Sequence, residues 1–155
     1  MKILFLDFDG VLNSERYIRN HMGDGTVIVD PLCMTLIRDI VRATKAKIVL
    51  TTSWREYWSE NKSECSDIGN EINDIFSQYG LTIYSKTPHH GYNSRESEIE
   101  EWLTDNPEVT NFVAIDDKTL DSDILEGHFV KTAGFTGGIS EDNAMEAIDI
   151  LNGNK

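Results

Sequence analysis

Cysteine is nearly absent from this chain, which carries only Cys33 and Cys65. Two residues so far apart make neither a disulfide framework nor a metal-ligand spacing, which predicts a reducing, cytoplasmic setting and core or surface roles for both. Three prolines and eleven glycines in 155 residues leave no low-complexity linker, and 39% hydrophobic content excludes a disordered chain. Long apolar runs are missing too. None approaches the roughly 20 residues that span a bilayer, and the run behind Lys2 stops at Asp7, too short for a secretory signal. Positive charge is scarce: 14 Lys and Arg face 27 Asp and Glu, for a formal net charge of −13. Such a body will not hold long tracts of nucleic acid by neutralising phosphates. A local positive pocket for one phosphorylated end stays compatible with it, as does a divalent cation. The length predicts one domain over residues 1–155, with a real core and no internal repeat.

What is present begins at Ile3-Leu4-Phe5-Leu6, an uninterrupted apolar run that reads as a strand buried on both faces. Its polarity flips at once to Asp7-Phe8-Asp9-Gly10. Side chains at i and i+2 of an extended chain point the same way, so Asp7 and Asp9 face one small volume at the strand's carboxyl end. Two desolvated carboxylates repel unless a cation joins them or one takes up a proton. A calcium loop also opens with Asp-x-Asp, but here Gly stands fourth and apolar Val11 and Leu12 follow, which excludes it.

Residues 14–29 show no clean period. Gly23-Asp24-Gly25 predicts a turn and Thr26-Val27-Ile28-Val29 a short strand, together a small hairpin flap. Asp30-Pro31 opens a helix as N-cap and first helical residue, with Leu32, Leu36, Ile37, Ile40 and Val41 on its inner face. Ile48-Val49-Leu50 is a second buried strand and ends in Thr51-Thr52-Ser53-Trp54-Arg55. A helix over 66–79 leads to a third strand, Leu81–Tyr84. Asn93-x-x-Glu96 resembles a capping box for a helix that buries Ile99, Trp102 and Leu103. Phe112–Ile115 is a fourth strand, running into Asp116-Asp117, and His128–Val130 a short edge strand. Gly134, Gly137 and Gly138 make a turn before a last helix capped by Ser140, in which Ala144, Ala147, Ile148 and Leu151 pack.

Strands alternating with helices predict an α/β fold: a Rossmann-like, mostly parallel sheet with helices on both faces. In such sheets ligands bind beyond the carboxyl ends of the strands, where the winding reverses. Three strands end in Asp-x-Asp, Thr-Thr-Ser and Asp-Asp, and their convergence in one crevice is the main functional expectation. Asp7, Asp9, Asp116 and Asp117 are hard oxygen ligands of the kind Mg²⁺ takes. Hydroxyls and backbone N–H groups at the end of the second strand, Thr51 and Thr52 among them, suit phosphate oxygens, and Arg95 adds a positive charge. One carboxylate is then free to act as a nucleophile and form an aspartyl-phosphate.

Taken together and in this order, these motifs resemble the haloacid dehalogenase (HAD) superfamily, in its magnesium-dependent phosphatase branch. Asp7-Phe8-Asp9-Gly10-Val11 resembles the first family motif, Thr51 or Ser53 the second, Arg95 or Lys86 the third, and Asp116-Asp117 the fourth. The resemblance implies that Asp7 is the nucleophile and Asp9 the general acid and then base. It implies Mg²⁺ held by Asp7, the Asp9 main-chain carbonyl, Asp116 and Asp117. More narrowly, Asp-Gly-Val-Leu-Asn, Ser-Trp-Arg and Gly-Phe-Thr-Gly-Gly-Ile-Ser look like small phage and bacterial members, some associated with RNA repair. Ile-Asp-Asp-Lys-Thr also looks like the 3′-phosphatase domain of polynucleotide kinases. Thr-Thr-Ser followed by Tyr57 is similar to phosphatases of the RNA polymerase C-terminal tail.

No stretch is long enough for a large cap domain, and an open crevice implies a phosphate on something large. A nucleic-acid 3′ end stands first; a phosphoprotein, a small metabolite and a non-catalytic phosphate-binding role are the alternatives. A receiver-type signalling module carries its acidic pair after the first strand, the reverse of the order here. Around the second motif, Trp54, Arg55, Tyr57 and Trp58 suit either base stacking or helix packing, and Arg55 is the one expected to touch substrate. His89-His90 reads as a surface loop, and Glu96–Glu101 as a solvated helix face.

Overall fold

The computed structural model describes residues 1–91 and 93–154; Lys155, the last residue of the expected domain, lies outside the described residues, as does Tyr92. Strands β1 (Lys2–Leu6), β2 (Lys47–Leu50), β3 (Ile83–Lys86), β4 (Asn111–Asp116) and β5 (Phe129–Lys131) form one sheet in the order β3-β2-β1-β4-β5. All four pairings are parallel. The chain winds outward from β1 through β2 to β3 and then returns to β4 on the other side. The reversal between β1 and β4 opens the crevice that doubly wound sheets use for ligands.

Side chains alternate across the central strands and build two cores. Leu4, Leu6, Ile48, Leu50, Val113 and Ile115 pack on one face against α2 (Pro31–Thr44), α3 (Asp67–Gln78) and α5 (Glu141–Leu151). On the other face Ile3, Phe5, Val49 and Ala114 meet Ile99 and Trp102 of α4 (Arg95–Asp105). Phe5 and Trp102 meet edge to face at 5.5 Å between ring centroids, and Trp102 also donates its indole N–H to Ser85 Oγ at 3.1 Å. Helices therefore cover both faces of the Rossmann-like sheet, and among the described residues no large cap interrupts it.

The helix starts follow local chemistry. Asp30 accepts from Leu32 N with Pro31 at the first helical position, and Ser140 and Asn143 form a reciprocal capping box. Lys45 closes α2 in the left-handed region, at φ 62. Four local expectations are corrected. The flap is not a hairpin: Ser14 caps a short helix α1 (Glu15–Asn20), and Thr26–Val29 joins no strand. The N–H groups of Thr26 and Val27 are taken instead by Glu71 on α3, at 3.1 Å and 2.6 Å. Leu32 is 74% exposed, and Cys33 and Met34 face inward in its place. The third strand starts two residues later than expected, at Ile83. Helix α4 is capped by Ser94, which accepts from Ser97 N, rather than by Asn93.

No helix among the described residues is long and apolar enough to cross a membrane.

Candidate functional site

The sheet register sets the site. Leu6 pairs with Leu50 on one side and Ile115 on the other. One residue further along, Thr51, Asp7 and Asp116 stand in a row across three adjacent strand ends. Backbone bonds hold that row, with Thr51 N donating to Leu6 O at 3.0 Å and Asp7 N to Ile115 O at 3.3 Å. Side chains of Asp7, Asp116 and Asp117 each offer an oxygen, all within 4.8 Å of one another.

Asp117 comes this close because of Gly10. The glycine sits at φ +81, and a Cβ there would fall 2.5 Å from Asp117 Oδ2. Both the backbone conformation and the space demand glycine. Thr132, just past β5, donates its hydroxyl to Gly10 O at 2.6 Å and accepts from Gly134 N, tying the Asp-x-Asp loop to the turn at Gly134–Thr136.

Arg95, the first residue of α4, reaches into the row. Its Nη1 lies 2.6 Å from Asp116 Oδ2 and 3.2 Å from Asp7 Oδ2. Burial alone would lower its pKa, but the two carboxylates outweigh that and hold it above the ordinary arginine value. Asp7 is only 5% exposed. Desolvation pushes its pKa up to about 7, Arg95 opposes, and the charges of Asp116 and Asp117 add to the rise. Asp117 is raised too, by burial first and then by its hydrogen bond to Asp116. These carboxylates crowd one another beyond what a single guanidinium offsets.

That donor set fits a hard divalent cation: three carboxylate oxygens in one volume, with a raised Asp7 whose charge needs a partner. The Asp9 carboxylate stands apart from the three. Asn13 Nδ2 donates to its Oδ1 at 3.1 Å and Trp54 Nε1 to its Oδ2 at 3.1 Å. Asn13 is itself fixed, accepting from Gly10 N and donating to Ile28 O.

Asp7, Asp9, Ser53, Arg95, Asp117, Lys118 and Phe135 line a cavity of about 210 Å³ over this cluster. Of the hydroxyls expected to meet phosphate, Ser53 is exposed on the wall of that cavity. Thr51 is buried beside Asp7. Thr52 is 1% exposed, and its hydroxyl caps the 3-10 turn Ser53–Tyr57 by accepting from Trp54 N. Of the two candidate cations, Arg95 is in the site. Lys86 is not: its Nζ donates to the carbonyls of Arg55 and Trp58.

Arg55, expected to touch substrate, borders the neighbouring cavity with its fork held by the protein. It is 2% exposed, and every donor of its fork is engaged by the protein. Nε donates to Thr87 O, Nη1 to the carbonyls of Thr51 and Thr52, and Nη2 to Glu98 Oε1 at 2.8 Å. Nη2 also faces His89 Nδ1 at 3.0 Å. Glu98, in the run read as a solvated face, is correspondingly buried at 4%. A buried guanidinium needs a buried carboxylate, and a charge run at helical spacing does not reveal which member turns inward. Trp58 packs, with its indole N–H on Asn73 Oδ1.

The sequence reading missed Asn13, Trp54 as a partner of Asp9, Lys118 and Phe135. All four lay within motifs already noticed, Asp-Gly-Val-Leu-Asn, Ser-Trp-Arg, Ile-Asp-Asp-Lys-Thr and Gly-Phe-Thr-Gly-Gly-Ile-Ser, but nothing in spacing pairs positions 9 and 54. No curated protein matches the chain. The family model described as the HAD domain in Swiss Army Knife RNA repair proteins matches residues 3–144. That span holds the whole Asp7, Asp116 and Asp117 cluster together with Arg95, and the chain belongs to this family of HAD domains.

Proposed function

We propose that this protein is a magnesium-dependent phosphomonoesterase that works through an aspartyl-phosphate on Asp7. Membership in a family of HAD domains from RNA repair proteins points to phosphatase-type chemistry. The observation that carries the finer reading is Arg95 bridging Asp7 and Asp116, in the row that also holds Thr51. A phosphoryl group brought to Asp7 meets the Arg95 guanidinium and the Ser53 hydroxyl on the cavity wall, with Thr51 buried beside Asp7.

Asp7, kept ionised with help from Arg95, attacks phosphorus. The P–O(Asp7) bond forms while the ester P–O bond breaks, and Asp9 delivers its proton to the departing oxygen. Asp9 then takes a proton from water, whose oxygen attacks phosphorus. The acyl-phosphate bond breaks to regenerate Asp7 and release inorganic phosphate. Trp54 and Asn13 hold the Asp9 carboxylate in one orientation for both steps. Mg²⁺ held by Asp7, the Asp9 main-chain carbonyl, Asp116 and Asp117 would supply charge neutralisation between these carboxylates and the incoming phosphate. Arg95 and the hydroxyls supply the remaining stabilisation of the equatorial oxygens.

The substrate is a phosphate on a large molecule, and a nucleic-acid 3′ end fits best. The cavity is small, no cap domain among the described residues closes it, and its wall carries Arg95 and Lys118 in an otherwise acidic body. The test is phosphate release from an aryl phosphate with Mg²⁺ and with EDTA, then from a 3′-phosphorylated oligonucleotide, a phosphopeptide and sugar phosphates. Mg²⁺-dependent release lost in Asp7→Asn, with the oligonucleotide preferred, is expected. Full activity of Asp7→Asn would remove the nucleophile, and turnover of sugar phosphates alone would remove the large substrate.

A further inference from the structure

Phe135 is 49% exposed and lines the same cavity as Asp7 and Asp9. The other exposed large hydrophobics described are Met22, Leu32, Tyr57 and Met145, and none of them borders that cavity. Its backbone is well anchored. Gly134 adopts φ +68 against Asp117, its N–H is held by Thr132 Oγ1, and its carbonyl accepts from Gly137 N and Gly138 N at 3.2 and 2.8 Å. Thr136 Oγ1 closes the turn by donating to Ala133 O at 2.7 Å. Gly138 is forced as well: at φ +68, a Cβ would come within 2.8 Å of Asn13 O. The ring is thus carried on a turn keyed, through Thr132 and Gly10, to the loop that bears Asp9.

A second cavity of about 270 Å³ adjoins this one. The two share Ser53, Arg95 and Lys118, and the lining of the second includes Asn93 and Thr119 together with the carboxylates Glu96 and Glu98. The approach to Asp7 therefore combines one aromatic ring with polar side chains of both charges. A chain of net charge −13 cannot draw a nucleic-acid end by its overall field. Local affinity must come from contact chemistry, and a base face stacked on an aromatic ring needs no favourable field.

We propose that Phe135 is the platform on which the nucleobase next to the scissile phosphate stacks, making it a specificity-determining residue for a nucleic-acid end. This rests on the phosphatase reading above and extends it from the phosphate to the leaving group. Lys118 lines the same cavity as Phe135, and Asn93 the adjoining one.

The experiment uses the full chain with Mg²⁺ and two 3′-phosphorylated oligonucleotides that differ only in whether the terminal nucleotide carries a base. Wild type is expected to favour the base-bearing end by about tenfold in KM, the scale of one base–aromatic stack. Phe135→Ala should raise KM for the base-bearing end until the preference disappears, and Phe135→Trp should keep it. Thermal unfolding of each variant checks the fold. A preference that survives Phe135→Ala overturns the proposal, as does an equal loss on both substrates. A phosphopeptide turned over faster than either oligonucleotide, with Phe135→Ala indifferent, also overturns it. Wild type that cleaves the aryl phosphate but ignores the base sinks this inference alone. Wild type that cleaves no phosphomonoester removes the phosphatase reading and this one with it.

Discussion

Trp54 donates its indole N–H to Asp9 across 45 positions of sequence, at 3.1 Å. The second carboxylate of the Asp-x-Asp motif is thereby aimed by a residue at the end of a different strand. A hydrogen bond to a charged group is worth roughly 1.5–3 kcal/mol. If Asp9 moves the proton, Trp54→Phe, which keeps the ring and deletes the donor, should lower kcat by about tenfold or more. Its unfolding midpoint should stay close to wild type. Steady-state kinetics with Mg²⁺ check this; an unchanged kcat would mean Asp9 needs no such orientation.

Stability should depend on pH through Asp7. Its folded pKa is raised to about 7 by burial, while in the unfolded chain the carboxyl titrates near its ordinary 3.8. Between these limits the folded state binds more protons than the unfolded one, so stability falls as pH rises through that window. With EDTA, wild type is expected to lose stability from about pH 4 to pH 7. Asp7→Asn should show a flatter profile and be the more stable of the two at pH 8. Denaturant melts across pH decide it: parallel profiles would contradict the burial effect.

Arg95 offsets Asp7 and Asp116 at once. Arg95→Met leaves both carboxylates without that partner and should destabilise the chain in EDTA at neutral pH, with recovery on adding Mg²⁺. Activity should not recover. Arg95→Lys, a single point charge in place of a planar fork, should restore stability more than rate. Thermal melts paired with rate measurements separate the two effects.

Gly10→Ala is expected to be damaging on two counts. Its φ of +81 disfavours any L side chain, and the new methyl would lie 2.5 Å from Asp117 Oδ2. The strain is of order 1–3 kcal/mol, and Asp117 must turn away from the cluster. Titration of the variant with Mg²⁺ or Mn²⁺ should show affinity weakened by about tenfold or more; wild-type affinity would show that Asp117 contributes no ligand.

Arg55 and Glu98 form a buried pair at 2.8 Å. Glu98→Gln keeps the shape and leaves the guanidinium uncompensated, which typically costs about 3–5 kcal/mol in a buried pair. Arg55 also grips the carbonyls of Thr51 and Thr52, so Arg55→Met should loosen that strand end and lower activity as well as stability. Urea unfolding and kcat on one sample set check both.

Much of this was readable along the chain. Apolar runs ending abruptly in Asp, Thr and Asp located three of the strands and their carboxyl ends, because a strand buried on both faces has to be continuously apolar. Asp30-Pro31 and Ser140 marked helix starts, because capping is settled within four residues. A single sequence also carried the ordered motifs and the family they belong to. Tertiary structure decided what local patterns leave degenerate. Arg95 rather than Lys86 faces Asp7, and Arg55 and Glu98 turn inward together, because burying a charge is tolerable only beside a partner distant in sequence. The run Thr26–Val29 has strand propensity but no strand beside it, and Glu71 takes the N–H groups of Thr26 and Val27. Register did the rest: with Leu6 level with Leu50 and Ile115, Thr51, Asp7 and Asp116 come into one row, a juxtaposition that exists only once the sheet has formed.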